Sequence, residues 1–258
     1  TGASTNWKAE LFFRPSNPGD RPVTVMPRLF ADPIGGGMTV VFGTGKYLAA
    51  VDNVIDSNTK VQAVYGIRDS GFAGQPVVEE GSTATPLVEQ VLSEQDSVRG
   101  LTTNPVPAEN SSGVTIRGWY FDLYVSDGTS QTNKGERVVV DAAALTDTNR
   151  AVITTLIPQD NDPCDPAPRG AVMFVDAATG GAASGVDYGT SGGWAAGTQQ
   201  TGVLVKNPPT GGFLPVATSV GGGRVYLPGL TLLDDTTTPS AGAPIWRRRS
   251  WRELNNDQ

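Results

Sequence analysis

The sequence predicts an all-β chain, on three observations. Glycine and proline are abundant, 32 and 19 of 258 residues, and they punctuate the chain at short intervals. The apolar runs between them are brief and rich in Val, Ile, Phe and Tyr, as in "VQAVYGI" (61–67) and "AVMFVD" (171–176). Only 17% of the residues are charged, and long runs of helix formers are missing.

The bulk numbers also narrow the function. A length of 258 residues suits one large domain or two small ones with a sizeable core. A net charge of −7 argues against general nucleic-acid binding, which depends on Lys and Arg neutralising phosphates. Histidine is absent, which removes the commonest general base and metal ligand. No apolar run of about 18 residues occurs, so no segment reads as a membrane-spanning helix. The chain starts at Thr1 with no signal-peptide pattern, so it reads as a mature product or a fragment. The single cysteine, Cys164, cannot form an internal disulfide. Either it pairs with another segment or chain, or it is a small buried or inert thiol.

The elements follow in order. Trp7–Phe13 and Val23–Phe30 read as strands separated by a Pro/Asn/Gly/Asp cluster. After Gly35-Gly36-Gly37 come Met38–Phe42, Lys46–Val51 and Val61–Ile67, each short and β-like. Residues 85–99 are ambiguous. Leu87, Val88, Val91 and Leu92 share a helical face and Pro86 suits a first turn, so periodicity favours a helix slightly over a doubly buried strand. Val114–Val125 is the clearest strand, with Trp119, Phe121, Leu123 and Val125 on one face at period two. Arg137–Asp141 and Ala151–Ile157 follow. Ala171–Asp176 is apolar on both faces and reads as an inner strand. Residues 180–200 are rich in Gly, Ser and Ala and read as a long surface loop. Val203–Lys206, Phe213–Ala217, Arg224–Leu227 and Ile245–Glu253 complete the set.

About a dozen short strands imply a sandwich, barrel or propeller. A repeat favours the propeller. Apolar strands end in an aspartate closely followed by glycine in "VYGIRDSG" (64–71), "FDLYVSDG" (121–128) and "MFVDAATG" (173–180). At about 40–50 residues per blade, the chain would supply about five blades at most.

Four stretches resemble functional sites, and each has a plainer explanation. Gly43-Thr44-Gly45-Lys46 looks like the end of a phosphate loop, but Val40 stands where the first glycine belongs and Tyr47 where Ser or Thr belongs. The following "YLAAVD" is too short for the required helix, so Lys46 is expected to be a structural or surface lysine and not a ligand. Asp52, Asp56 and Asn58, and separately Asp160, Asp162 and Asp165, offer oxygens to calcium without the register of a calcium loop. Serine and threonine are plentiful, yet no Gly-x-Ser-x-Gly elbow occurs. Arg247, Arg248, Arg249 and Arg252 interleave with Trp246 and Trp251. On a strand the two tryptophans point to opposite faces, which suits packing better than a stacking platform.

The ordered set "VVFGTGKYL", "VYGIRD", "LVEQ", "GWYFDL", "GERVVVD", "TTLIPQDNDPC", "FVDAATGG" and "SWREL" resembles the PilY/PilC family of type IV pilus biogenesis factors and tip adhesins. The likeness runs from about Trp7 to Leu254. It implies a modified β-propeller with an incomplete set of blades and long loops, residues 1–258 being the second half of the family's carboxy-terminal propeller region. It implies a strand at "LVEQ", against the helical periodicity. The ring would be closed by a missing amino-terminal propeller segment or by another chain. The family's calcium loop matches no segment here, so no metal, cofactor or catalytic residue is assigned. Calcium remains an expectation for elsewhere in the full-length protein. The resemblance further implies an extracellular, non-enzymatic role at the pilus tip, with minor pilins and a host-cell or abiotic surface as partners. Two other readings compete. A quinoprotein-like propeller oxidoreductase would share the "DAATG" turns, and a structural surface β protein would share the composition.

Overall fold

The computed structural model describes residues 9–72, 74–126, 130–145, 148–158, 169–184, 194–206, 219–221, 224–226 and 231–232. It is nearly all β. The first strands are β1 (Phe13–Arg14), β2 (Arg28–Asp32), β3 (Gly37–Gly43), β4 (Ala63–Asp69), β5 (Val78–Glu79) and β6 (Val88–Glu89). Then come β7 (Leu92–Gln95), β8 (Val98–Thr102), β9 (Gly118–Asp122), β10 (Val125–Ser126), β11 (Gln131–Thr132) and β12 (Ala143–Leu145). The last are β13 (Arg150–Thr154), β14 (Arg169–Asp176), β15 (Thr198–Lys206), β16 (Ser219–Gly221), β17 (Arg224–Tyr226) and β18 (Thr231–Leu232). The helical element among the described residues is a 3₁₀ turn, Ala50–Asn53.

Two sheets carry the architecture, and neither closes on itself among the described residues. The first has the order β2-β3-β4-β9-β6, and the second runs β11-β10-β7-β8-β15-β14-β13-β12 with β18 added at β15. They pack face to face. The main core takes Phe30, Val41, Val64, Trp119 and Phe121 from the first sheet and Leu92, Leu101, Ile153, Met173 and Val175 from the second. The far face of the first sheet buries Phe42, Tyr65 and Ile67 against Val78 of the short parallel pair β1–β5. The far face of the second buries Val152, Val172, Phe174, Val203 and Val205. The inner strand expected at 171–176 is therefore β14, hydrogen-bonded on both edges and buried on both faces.

Several boundaries differ from the sequence reading. Lys46–Val51 is not a strand. The Asp52 carboxylate accepts the Leu48 and Ala49 N–H groups at 2.9 and 3.0 Å, which folds the chain into the 3₁₀ turn instead. The helical face at 85–99 does not form. Leu87 packs on the outer cluster, Val88 and Leu92 on the central core, and Val91 is exposed, so neighbours alternate as in strands β6, β7 and β8. Val114–Val125 divides at Leu123–Tyr124: β9 belongs to the first sheet and β10 to the second. Arg137–Asp141 forms a single bridge, Arg137 with Leu156, instead of a strand. The strand expected at Val23–Phe30 begins only at Arg28, directly after Pro27. Of Trp7–Phe13, Trp7 and Lys8 lie outside the described residues, and among the others only Phe13 is in a strand. The loop at 180–200 is not wholly on the surface, because Ala182 joins the core and β15 begins at Thr198. Phe213–Ala217, Ile245–Glu253, Asp160, Asp162, Cys164, Asp165 and the Arg/Trp run lie outside the described residues.

Candidate functional site

The aspartates of the strand-end repeat perform one job. Asp176 Oδ1 accepts the N–H groups of Ala178 and Thr179 at 2.9 and 3.0 Å, and Gly180 then closes the turn at φ 71°. Asp69 Oδ1 likewise accepts the Gly71 N–H at 2.8 Å, with Gly71 at φ 72°. Asp127 of the third copy lies outside the described residues.

These turns position Trp119. Its indole is fully buried, and its Nε1 donates to the Ala177 carbonyl at 3.0 Å. A Cβ on Gly66 would sit 2.1 Å from the indole, and one on Gly180 would sit 2.2 Å from it. The ring therefore lies between two backbones that only glycine allows so close. Gln90 finishes the joint where the chain passes from β6 to β7. Its amide donates to the Asn104 and Thr179 carbonyls at 2.8 and 2.9 Å, and its Oε1 accepts from Thr102 Oγ1 and Asn104 N. "VYGIRD", "LVEQ", "GWYFDL" and "FVDAATGG", far apart in sequence, thus meet at one inter-sheet joint.

"VVFGTGKYL" and "GERVVVD" form a second joint. The Thr44 N–H donates to the Ala63 carbonyl at 2.8 Å, its Oγ1 accepts the Ala63 N–H at 2.9 Å, and its carbonyl accepts the Val138 N–H at 2.9 Å. A Cβ on Gly43 would collide with Val138 at 2.3 Å, and one on Gly45, at φ 134°, would collide with Arg137 at 2.4 Å. Lys46 supplies its carbonyl to Arg137 Nη1 at 2.9 Å, while its ammonium stands 3.4 Å from Asp52. The two glycines make room for a neighbouring chain, and the phosphate-loop likeness has no structural counterpart here.

Beside this joint is a cleft of about 350 Å³ whose walls include Lys46, Asp52, Asp56, Lys60, Gln62 and Arg137. Its charges are already committed. Burial opposes ionisation of Asp52, but the Leu48 and Ala49 N–H groups and the Lys46 ammonium outweigh it and hold the carboxyl below its usual range. Asp56 accepts the Asn58 N–H at 2.8 Å and is likewise lowered, chiefly by that bond. Burial depresses the Arg137 guanidinium, with Asp52 opposing. Lys60 stands 3.6 Å from Asp20. One oxygen of Asp52 and one of Asp56 accept backbone N–H groups, and the other oxygen of Asp52 faces the Lys46 ammonium. Among the described residues, no three His, Cys, Asp or Glu side chains gather as a metal site would need.

Two further charge clusters escaped the sequence reading. Arg21 donates to Tyr65 Oη at 2.5 Å, Glu80 at 2.7 Å and Asp122 at 2.8 Å, tying the amino-terminal segment across the outer face of the first sheet. Burial raises the Asp122 carboxyl despite Arg21 and pushes the neighbouring Tyr120 up to about 12. Arg99 is fully buried, its Nη2 2.7 Å from Glu136 Oε2 and 3.2 Å from Glu94 Oε2, while Lys134 reaches Glu94 at 2.6 Å. Thr155 Oγ1 donates to the other oxygen of Glu136 at 2.5 Å. Arg99 and its closest counter-charge, Glu136, are 37 residues apart, and the Arg21 partners lie 44 to 101 residues away, so no local spacing announces either cluster.

No family model matches the chain. A type IV pilus biogenesis factor PilY1 of Pseudomonas aeruginosa is 32% identical over 178 residues, 63% of this chain and 14% of the relative. A PilY1 homologue of Xylella fastidiosa is 30% identical over 269 aligned residues, 98% of this chain and 20% of the relative. The chain thus spans a fifth or less of the curated relatives' length. Among solved structures, the crystal structure of the P. aeruginosa PilY1 C-terminal domain matches with a TM-score of 0.62 at 24% identity, over 86% of this chain and 46% of that one. That likeness shows the fold, a propeller-like arrangement of sheets.

Proposed function

The chain belongs to the PilY1 family, and on that premise we propose that it is the propeller-like part of a type IV pilus biogenesis factor that works at the pilus tip. The observation that carries the reading is the 30% identity across 98% of the chain to a relative named for pilus biogenesis. The role is non-enzymatic: the part favours pilus assembly over retraction and contacts host cells or abiotic surfaces from an extracellular position. Minor pilins and the remaining propeller segment are its partners. The joints at Trp119 and Gly43–Gly45 support this reading, because the residues resembling the family serve packing between strands.

The experiment is an in-frame deletion of residues 1–258 from the full-length gene. Surface pili, twitching and adhesion should all fall. Retention of all three at wild-type levels would end the proposal.

A further inference from the structure

The cleft at Lys46 and Arg137 has fixed walls. Asp52 holds one of them by accepting the Leu48 and Ala49 N–H groups, and Asp56 holds another by accepting the Asn58 N–H. Gln62 secures the third, its amide donating to the Asp20 and Lys60 carbonyls at 2.9 and 3.2 Å. The space is therefore shaped before a ligand arrives, which lowers the cost of binding. Its volume of about 350 Å³ is that of a small-molecule site.

Formal charge in this space cancels. Asp20, Asp52 and Asp56 line it together with Lys46, Lys60 and Arg137. Lys46 stands against Asp52 and Lys60 against Asp20, so a ligand of either sign would meet an opponent beside every partner. Hydrogen-bonding capacity of both kinds is left over. Each ammonium has three donors but one ion-pair partner among the described residues. Arg137 is only 8% exposed. Its Nε and Nη1 donate to the Gly135 and Lys46 carbonyls, and its Nη2 has no hydrogen-bond partner among the described residues. Asp20 reaches Lys60 through Oδ2 and Asp56 serves its turn through Oδ1, so each keeps a second oxygen as an acceptor. Val51 and Val54 add aliphatic carbon to the wall.

We propose that this cleft binds a neutral carbohydrate, an uncharged hexose of a surface glycan or polysaccharide. A hydroxyl group donates one hydrogen bond and accepts two, so a ring bearing several satisfies donors and acceptors set side by side. The C–H faces of the same ring suit the two valines. A sialylated or sulfated sugar would set its charge against Asp20 and Asp56, and an amino sugar would set its own against Lys46, Lys60 and Arg137. The proposal rests on the adhesive role above and adds the site and the class of ligand.

The test applies the purified full-length factor to immobilised glycans. Galactose- and mannose-terminated oligosaccharides stand for animal-cell surfaces and cello-oligosaccharides for plant walls. Sialylated and sulfated forms of each are the charged counterparts. The expected result is retention on at least one neutral set, with its charged form bound at least tenfold more weakly. The set retained identifies the source of the sugar. Lys60→Ala combined with Val51→Asp should weaken that binding at least tenfold, and Phe72→Ala, on the loop after β4, should leave it unchanged. All three side chains are more than half exposed, so an unchanged thermal melt checks the fold, and the comparison of neutral with charged glycans needs no substitution. Retention of no neutral glycan, stronger retention of the charged forms, or binding indifferent to the paired substitution would overturn the proposal. Adhesion that requires residues 1–258 while no glycan is retained would overturn the carbohydrate site alone. Adhesion that does not require residues 1–258 would overturn the adhesive function as well.

Discussion

Trp119 and Lys46 both sit in signature stretches, yet their surroundings are opposite. Around Trp119 the backbone closes in on an indole with no exposed surface, and its single donor is satisfied. Around Lys46 the backbone turns outward, a buried carboxylate holds the turn, and three aliphatic side chains are left in water. The first place holds two sheets together and tolerates almost no added volume. The second is rigid but open, with little of its side-chain surface used inside the molecule. A signature therefore marks backbone geometry in both places. Only the second leaves aliphatic side chains in water.

Substitutions can break or sharpen that contrast, beginning with the largest effect. Gly66→Ala and Gly180→Ala each drive a methyl into Trp119, and Gly180 is also at positive φ. Each should cost more than about 4 kcal/mol, the exceptional end for one substitution. Denaturant unfolding followed by circular dichroism measures it, and a loss below about 1 kcal/mol would mean that the indole is not confined as described.

Next comes the buried pair. Glu136→Ala leaves Arg99 buried without its closest counter-charge and should cost about 3–5 kcal/mol. Arg99 Nε and Nη1 already lack hydrogen-bond partners, so Arg99→Met combined with Glu136→Met should recover most of that loss. A double-mutant cycle with no coupling would show that the two charges do not depend on each other.

At the open turn the effects shrink. Asp52→Asn weakens an acceptor of two N–H groups and should cost about 1 kcal/mol, as capping substitutions do. The pH dependence has a definite sign. The folded pKa of Asp52 is lowered, so its contribution is present above the unfolded carboxylate value of about 3.9 and is lost as pH falls through the lower folded value. Stability curves for wild type and Asp52→Asn should therefore converge in acid and separate toward neutrality. Parallel curves would show that the carboxylate charge is not what holds the turn. Lys46→Ala is the smallest change. Its ion pair is half exposed, so less than about 0.5 kcal/mol should be lost, and a melt displaced by many degrees would contradict this.

Much of the fold was legible because the signals were local. The alternation of Trp119, Phe121 and Leu123 marks a core face, and all three are buried in the main cluster. The aspartates at 69 and 176 end strands because a short carboxylate can accept the next N–H groups of a turn. The doubly apolar run at 171–176 is an inner strand for the reason that predicted it, burial on both faces. Other features were not legible. Lys46–Val51 has β-like composition, but the Asp52 carboxylate sets its path by bonding backward along the chain. The helical spacing at 85–99 arose from a strand, a crossing and a hairpin placing apolar residues in separate clusters. The exposure of Leu48, Val51 and Val54 was hidden as well, since composition cannot distinguish an aliphatic side chain left in water from one in a core.

The sequence by itself determined the all-β class, the strand-ending turns and the likeness to a pilus factor, because these depend on neighbours along the chain. The tertiary structure decided that distant glycines would frame one indole, that Arg21 and Arg99 would each gather remote carboxylates, and that the run at 118–126 would serve two sheets. Such features depend on which backbones come within a few ångströms of each other. Close approach is a property of the packed sheets, and the glycine that permits it looks in sequence like any other turn residue.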